Sequence, residues 1–288
     1  MADPADLVSL IRQSSAPLPL FPPPDLPPEL EALVYPGAPP IGGIHTVIFD
    51  VYGTLFISAA GDIGSAAEEP YPCPDSPAAE LRGYFRGEVL KRHEALRGKT
   101  PYPELRVEEI WADFLKKRGG GSTAEESRKL ALWYDLGVNP VYPMPGAEET
   151  LRILRDRGIR LGLISNAQFF TPLLFEAFFG GTPAALGFDP ELLTYSFEMG
   201  EAKPSPNLFL PAVRCLLARG LKPENALYVG NDMLNDIFAA AEAGFKTALF
   251  AGDRRSLRLR EGDRRTRGTM PDRVIRNLKD TALLLTEC

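Results

Sequence analysis

Thr46-Val47-Ile48-Phe49-Asp50-Val51-Tyr52-Gly53-Thr54-Leu55 decides the reading of this chain. Its first four residues are β-branched or apolar, the run halts at an aspartate, and Tyr-Gly-Thr turns the chain. A run without polar alternation suits a strand buried on both faces of a parallel sheet. Open α/β sheets gather their chemistry outside the carboxyl ends of such strands. Asp50 is therefore a candidate catalytic carboxylate, although an Asp in this position also serves as a turn former or helix cap.

Later segments repeat the design. Arg160-Leu161-Gly162-Leu163-Ile164-Ser165-Asn166 ends in a hydroxyl and an amide, and Ala226-Leu227-Tyr228-Val229-Gly230-Asn231-Asp232 ends in an amide and a carboxylate. Between them, Glu201-Ala202-Lys203-Pro204-Ser205-Pro206 sets an isolated lysine beside two prolines at a helix start. In order the chain supplies a carboxylate, a hydroxyl, an ammonium and a second acidic group. These motifs resemble those of the haloacid dehalogenase-like hydrolase superfamily: an Asp with Gly-Thr three residues on, a Ser or Thr, a Lys, and an acidic cluster. The resemblance covers residues 44 to 251. It implies an α/β fold, with a Rossmann-like parallel sheet core and a helical cap domain inserted after the first strand.

Strand–helix alternation on both sides of Lys203 agrees with a parallel sheet covered on both faces. Strands are expected at Ile159–Ile164, Leu227–Val229 and Thr247–Phe250, with helices over Ser205–Arg219 and Leu234–Ala243. Between Asp50 and Ser165 the sequence turns helical and charged. Ala78–Arg97, Val107–Arg118 and Ala124–Tyr134 carry apolar residues at three- and four-residue spacing. Tyr102-Pro103-Glu104 followed by Ile110-Trp111 resembles the caps of the dehalogenase- and phosphoglycolate-phosphatase-like branches. Trp111, Phe114 and Leu115 read individually as a helix-packing stripe. The expected boundaries are a proline-rich extension over residues 1–43, a core over 44–57 and 140–288, and a cap over 58–139.

Ionised Asp50 is an oxygen nucleophile, and in-line attack on phosphorus gives an aspartyl-phosphate that water later cleaves. The two partners are both anionic, so the site must supply positive charge. Mg²⁺ suits this task, being small, octahedral and partial to oxygen ligands. The resemblance implies ligation by the Asp50 carboxylate, the Tyr52 backbone carbonyl and the acidic cluster. Within Gly230-Asn231-Asp232-Met233-Leu234-Asn235-Asp236, Asp232 is expected as the metal ligand and Asp236 as its support or as a lysine partner. Asn231 stands where the superfamily often has its metal-binding Asp, and the competing reading of Asp232 is a helix N-cap. Lys203 would neutralise the nucleophile and a transferring oxygen. Thr54, Ser165 and Asn166 would hold the same group.

Tyr52 departs from the phosphatase pattern. Most superfamily phosphatases carry a second Asp there, which protonates the leaving oxygen. A phenol of unperturbed pKa about 10 is a poor substitute. The Asp-x-Tyr-Gly-Thr-Leu form instead resembles the metal-independent 2-haloacid dehalogenases, in which halide leaves without a proton. Arg82, Arg86 and Arg92 are then candidates to bind a substrate carboxylate. Against this, Asp232 would add negative charge beside a nucleophile that must meet an anion, which argues for a retained cation. The expectation is a Mg²⁺-dependent hydrolase acting on a small phosphate ester. The alternatives are a 2-haloacid dehalogenase acting on a halogenated acid, and a degenerate binding protein.

The 288 residues are 44% hydrophobic, enough for a large core. A net charge of −6 argues against a general nucleic-acid binder. Cys73, Cys215 and Cys288 show no metal-ligand spacing, and only His45 and His93 are available as imidazole ligands. No apolar run reaches membrane-span length, and no basic segment leads into an apolar one at the start, so a cytoplasmic location is expected. Pro22-Pro23-Pro24, Pro27-Pro28 and Pro39-Pro40 predict a mostly extended N-terminal tail packed along the surface. Asp253–Arg267 carries Arg254, Arg255, Arg258, Arg260, Arg264, Arg265 and Arg267, and is read as a solvated loop. Val274–Leu285 is read as an amphipathic helix. Nothing in the pattern fixes an oligomeric state.

Overall fold

The computed structural model describes residues 4–60, 81–119 and 123–286. Cys73, Cys288 and the expected helix start at Ala78 lie outside them. The core is a six-stranded sheet in the order β5-β4-β1-β6-β7-β8, every pairing parallel. The strands are β1 (Thr46–Phe49), β4 (Arg160–Ser165), β5 (Phe188–Tyr195), β6 (Ala226–Gly230), β7 (Lys246–Phe250) and β8 (Arg273–Ile275). β2 (Phe56–Ser58) and β3 (Val141–Pro143) form a separate antiparallel pair. β1 lies between β4 and β6 and is buried along its whole length, which accounts for its lack of polar alternation.

Register places the chemistry. Phe49 is level with Leu163 on one side and Val229 on the other, and the Asp50 N–H donates to the Val229 carbonyl at 2.9 Å. Asp50 therefore emerges between the ends of β4 and β6, where Ser165 and the acidic cluster begin. Tyr228 sits in mid-β6, fully buried.

The chain leaves the core through β2 and returns through β3, and the two crossings are tied together. Asn139 Oδ1 accepts from Ser58 Oγ at 2.9 Å and from the Ala60 N–H at 3.0 Å. Between the crossings run helices Arg82–Leu96, Val107–Lys117 and Ala124–Val138. The last opens with a capping box in which Thr123 and Glu126 satisfy each other's backbone N–H groups. Trp111 is fully buried, 4.7 Å from the Tyr134 ring and stacked on Phe85 at 5.8 Å, so it is a packing residue.

Several expectations need correction. Val274–Leu285 is not a continuous helix: Arg273–Ile275 is the sheet's edge strand and only Asp280–Leu283 is helical. Val274 and Ile275 are β-branched and fully buried against the sheet, so tertiary pairing overrides the helical spacing. β5 lies where the sequence gives no strand signal, because Pro190 and its acidic neighbours break the apolar run, a feature an edge strand tolerates. The expected helix from Leu234 begins as a π-helical turn, Met233–Phe238, before Ala239–Glu242. Ser205–Arg219 is split into Pro206–Leu208 and Leu210–Ala218. Within the extended N-terminal segment, short helical turns are expected at Leu7–Ile11 and Leu30–Tyr35; the first is a full helix, Pro4–Ser14, burying Leu7, Val8 and Ile11, and the second lies earlier, at Pro28–Glu31. Further on, Leu33 O accepts from the Val274 N–H and the Tyr35 N–H donates to Val274 O, both at 2.9 Å. That pairing covers the open side of β8, an edge otherwise exposed to strand addition. Among the described residues no helix is long and apolar enough to cross a membrane.

Candidate active site

Lys203 is the hub. Its Nζ lies 2.6 Å from Asp50 Oδ1, 2.6 Å from Asp236 Oδ1 and 3.1 Å from Tyr228 Oη, so its three protons have three acceptors. Burial works against the ammonium charge, but the attraction of Asp236 and then of Asp50, with their hydrogen bonds, outweighs it and holds the Lys203 pKa above its ordinary value. Asp236 is fully enclosed, and burial pushes its carboxyl up although Lys203 opposes the shift. With both contacts at 2.6 Å, an ammonium between two carboxylates is the arrangement that satisfies all three groups. Tyr228 donates to the Ile164 carbonyl at 2.7 Å and so locks β6 to β4 beneath the lysine.

Ser165 Oγ donates to Asp50 Oδ1 at 2.9 Å. That oxygen thus holds both Ser165 and Lys203, whereas Asp50 Oδ2 accepts no hydrogen bond among the described residues. The turn after Asp50 closes on one atom: the Val51 carbonyl accepts from the N–H groups of Thr54, Leu55 and Phe56. The Tyr52 carbonyl accepts none among the described residues. Gly53 has φ 84°, and a Cβ there would meet the Asn231 side chain at 2.7 Å, so the turn needs glycine on both counts. Thr54 Oγ1 donates to Asn231 Oδ1 at 3.0 Å, joining this turn to the acidic cluster. Asn166 is turned to a different task, its Oδ1 accepting the Lys203 N–H at 2.7 Å.

The cluster divides its labour. Asp236 Oδ2 accepts the Asp232 N–H at 2.9 Å, and Gly230 leaves the space into which Asp236 packs. Asp232 Oδ1 caps the following helical turn, accepting from Leu234 N at 2.8 Å and Asn235 N at 3.1 Å. Its Oδ2 accepts from Arg260 Nε at 3.0 Å and Nη2 at 2.5 Å, and from Asn235 Nδ2 at 3.2 Å. The arginine-rich segment is therefore not merely solvated. Asn231 Nδ2 donates to Ser256 O at 2.6 Å, Arg255 Nη2 to Pro19 O at 2.6 Å, and Asp253 Oδ1 accepts the Phe21 N–H at 3.1 Å.

Mg²⁺ asks for carboxylate, carbonyl and water oxygens. Asp50 Oδ2 and the Tyr52 carbonyl are of that kind and accept no hydrogen bond among the described residues. Asp232 is of that kind but engaged. No three His, Cys, Asp or Glu side chains among the described residues converge as a ready cage. Two carboxylates, a carbonyl and waters suffice for an ion that keeps much of its hydration, so the residues fit once Arg260 yields Asp232.

Further buried titratable groups adjoin the site. Tyr52 Oη is 2.9 Å from Thr171 Oγ1, and burial, then the charge of Asp135, raise the Tyr52 pKa well above the ordinary phenol value. Asp135, on helix Ala124–Val138, has its own carboxyl pushed up to about 7 by burial. Glu104 accepts from Ser196 Oγ at 2.6 Å and Leu105 N at 2.8 Å, and burial raises its pKa against those bonds. Tyr228 had a legible signal, a phenol in an aliphatic strand that needs a buried partner. Asp135 had none, and Glu104, although part of the Tyr102-Pro103-Glu104 stretch, has its Ser196 partner far away in sequence.

A haloacid dehalogenase-like hydrolase family model matches residues 44–244. The chain belongs to that family. A phosphoglycolate phosphatase of Nitrosococcus oceani is 31% identical over 252 residues, 84% of this chain and 96% of the relative. Another, from Aquifex aeolicus, is 29% identical over 72% of this chain and 84% of its own. A phosphoserine phosphatase of Thermus thermophilus is 32% identical over 53% of this chain, which spans only 61% of that relative. Among solved structures, an L-2-haloacid dehalogenase of Xanthobacter autotrophicus with covalently bound chloropropionic acid superposes with a TM-score of 0.51. It covers 84% of this chain and 98% of its own at 20% identity, a likeness of fold. This haloacid dehalogenase-like hydrolase thus has the parallel sheet core its motifs imply.

Proposed function

We propose that this hydrolase is a phosphatase for small phosphate esters, with Asp50 as nucleophile. The observation that carries the reading is the asymmetry of the Asp50 carboxylate. Ser165 and Lys203 fix Oδ1, which leaves Oδ2, with its two lone pairs, to face both the cation and the incoming phosphorus from a held orientation. Relatives named as phosphoglycolate and phosphoserine phosphatases support the phosphoryl substrate. Lys203 offsets the nucleophile's charge as a phosphoryl group arrives, and Ser165 orients the same carboxylate. Asp236 keeps Lys203 in place, Thr54 ties the nucleophile turn to Asn231, and Asn166 acts through the Lys203 backbone.

Mg²⁺, held by Asp50, the Tyr52 carbonyl and Asp232, would supply positive charge to the transferring group. Tyr52 stays protonated near neutral pH, and a buried phenol of raised pKa is a poorer general acid for the leaving group than a carboxylic acid. Esters with acidic leaving groups should therefore turn over fastest. Within this reading residues 58–139 form the cap over a core of 44–57 and 140–288, residues 1–43 form an extension, and the setting is cytoplasmic.

The test is a paired assay on purified protein, with and without Mg²⁺ after chelation. It follows phosphate release from an aryl phosphate and halide release from 2-chloropropionate. Mg²⁺-dependent phosphate release is the expected result. The specific observation for a second reading is Tyr52, the residue type of the 2-haloacid dehalogenases. Halide release that survives chelation, with no phosphate release, would replace the phosphatase reading with that one.

A further inference from the structure

Arg260 approaches Asp232 too deliberately for a stray surface side chain. Its Nε and Nη2 both donate to Asp232 Oδ2, at 3.0 and 2.5 Å. With Leu234 N, Asn235 N and Asn235 Nδ2, the carboxylate accepts five N–H groups. A carboxylate offers about four lone-pair sites, so Asp232 has none to spare. The backbone that aims Arg260 is itself unusual. At φ 53° it is the only non-glycine residue in the left-handed region among those described, a conformation kept only where surroundings enforce it.

Backbone pairing on both sides supplies that constraint. Arg258 N donates to Asn231 O at 2.9 Å and Met233 N donates to Arg258 O at 2.8 Å, so the loop pairs along both flanks of Asp232. Asp263 N and Thr266 Oγ1 donate to the Arg260 carbonyl at 2.9 and 3.0 Å and close the turn. The loop is thus built to deliver one guanidinium to the cluster residue that the proposed metal also needs.

We propose that Arg260 is the resident cation of Asp232, and that its guanidinium and a divalent ion exclude one another there. The segment 253–267 then sets how tightly the enzyme holds its metal, and binding requires Arg260 to swing away. Its side chain is 31% exposed, so solvent is open to it when displaced. The inference rests on the assignment of Asp50 and Asp232 to one cation site.

The test is Mn²⁺ binding to the full-length chain, without substrate, by titration calorimetry. Arg260→Gln should bind at least tenfold more tightly than wild type, and Arg260→Lys, which keeps the charge but not the fork, should fall between them. Asp232→Asn should remove the gain in the Arg260→Gln background. Equal or weaker binding by Arg260→Gln, including no binding by either protein, overturns the proposal. If Arg260→Gln does not fold, hydrogen exchange on wild type decides. Exclusion requires faster exchange of the residue 260–266 amides when Mn²⁺ is bound, and unchanged or slower exchange overturns it. Phosphate release is measured separately, so failure of the phosphatase reading shows as inactivity while the Mn²⁺ titration still decides the role of Arg260.

Discussion

Lys203 and Arg260 are both cations set against aspartates of one cluster, yet the Lys203 side chain is 3% exposed and the Arg260 side chain 31%. Lys203 is enclosed by the carboxylates of Asp50, just past β1, and Asp236, in the helical turn after β6, and by the Tyr228 phenol of β6. Arg260 comes from a loop and brings a partly exposed guanidinium to the Asp232 carboxylate. A buried ion that loses its partner leaves an uncompensated charge in a poor solvent, whereas a rim ion is rehydrated. The first pair is therefore part of the fold, and the second can be exchanged. A site that must keep its nucleophile oriented but admit and release ligands gains from having one of each.

The largest effect should come from the carboxylate that the enclosed cation orients. Asp50→Asn should lower kcat by about 10³-fold or more while leaving the melting temperature within a few degrees. Retained turnover would remove Asp50 from the nucleophile role. Next, Lys203→Met should cost about 3–5 kcal/mol in urea denaturation, because Asp50 and Asp236 lose their counter-charge. Arg260→Met should cost about 1 kcal/mol or less. Equal losses would break the contrast between enclosed and rim cations.

A third effect lies on the helical side. The fold favours neutral Asp135, with its carboxyl raised to about 7. Its stabilising contribution is full below the ordinary carboxylate range and is lost as pH rises through about 7. Asp135→Asn, neutral throughout, should be more stable than wild type by on the order of 2 kcal/mol at pH 9 and little changed at pH 4. A gain of the same size at both pH values would mean that packing, not ionisation, is involved. The smallest effect is expected from Tyr52→Asp, a gain of about tenfold in kcat on alkyl phosphates with little change on aryl phosphates. Equal gains on both classes would show that leaving-group protonation is not what Tyr52 lacks.

The central sheet was legible because β1, β4, β6 and β7 are apolar runs and each of the first three ends in a reactive group. Asp50, Ser165, Lys203 and Asp236 converge in space as their order suggested. What escaped depends on tertiary pairing. β5 hides behind Pro190, β8 is stabilised by neighbours from opposite ends of the chain, and the Arg260–Asp232 contact spans a loop whose composition reads as solvent-facing. Asn166 shows the same limit at one residue: an amide beside a reactive serine looks ligand-directed, but its acceptor is spent on the Lys203 backbone.

The strand-like seam beside Lys203 has a mechanical consequence. Ala202 N donates to Tyr102 O at 2.8 Å, Glu104 N to Gly200 O at 3.1 Å, and Pro103 bridges Glu201. The segment leading into helix Val107–Lys117 is thereby stitched to the three residues that precede the lysine. Any outward swing of those helices must unzip this seam or drag the Lys203 backbone with it. In the proposed phosphatase, ligand admission past those helices and the placement of Lys203 would then run on a single clock.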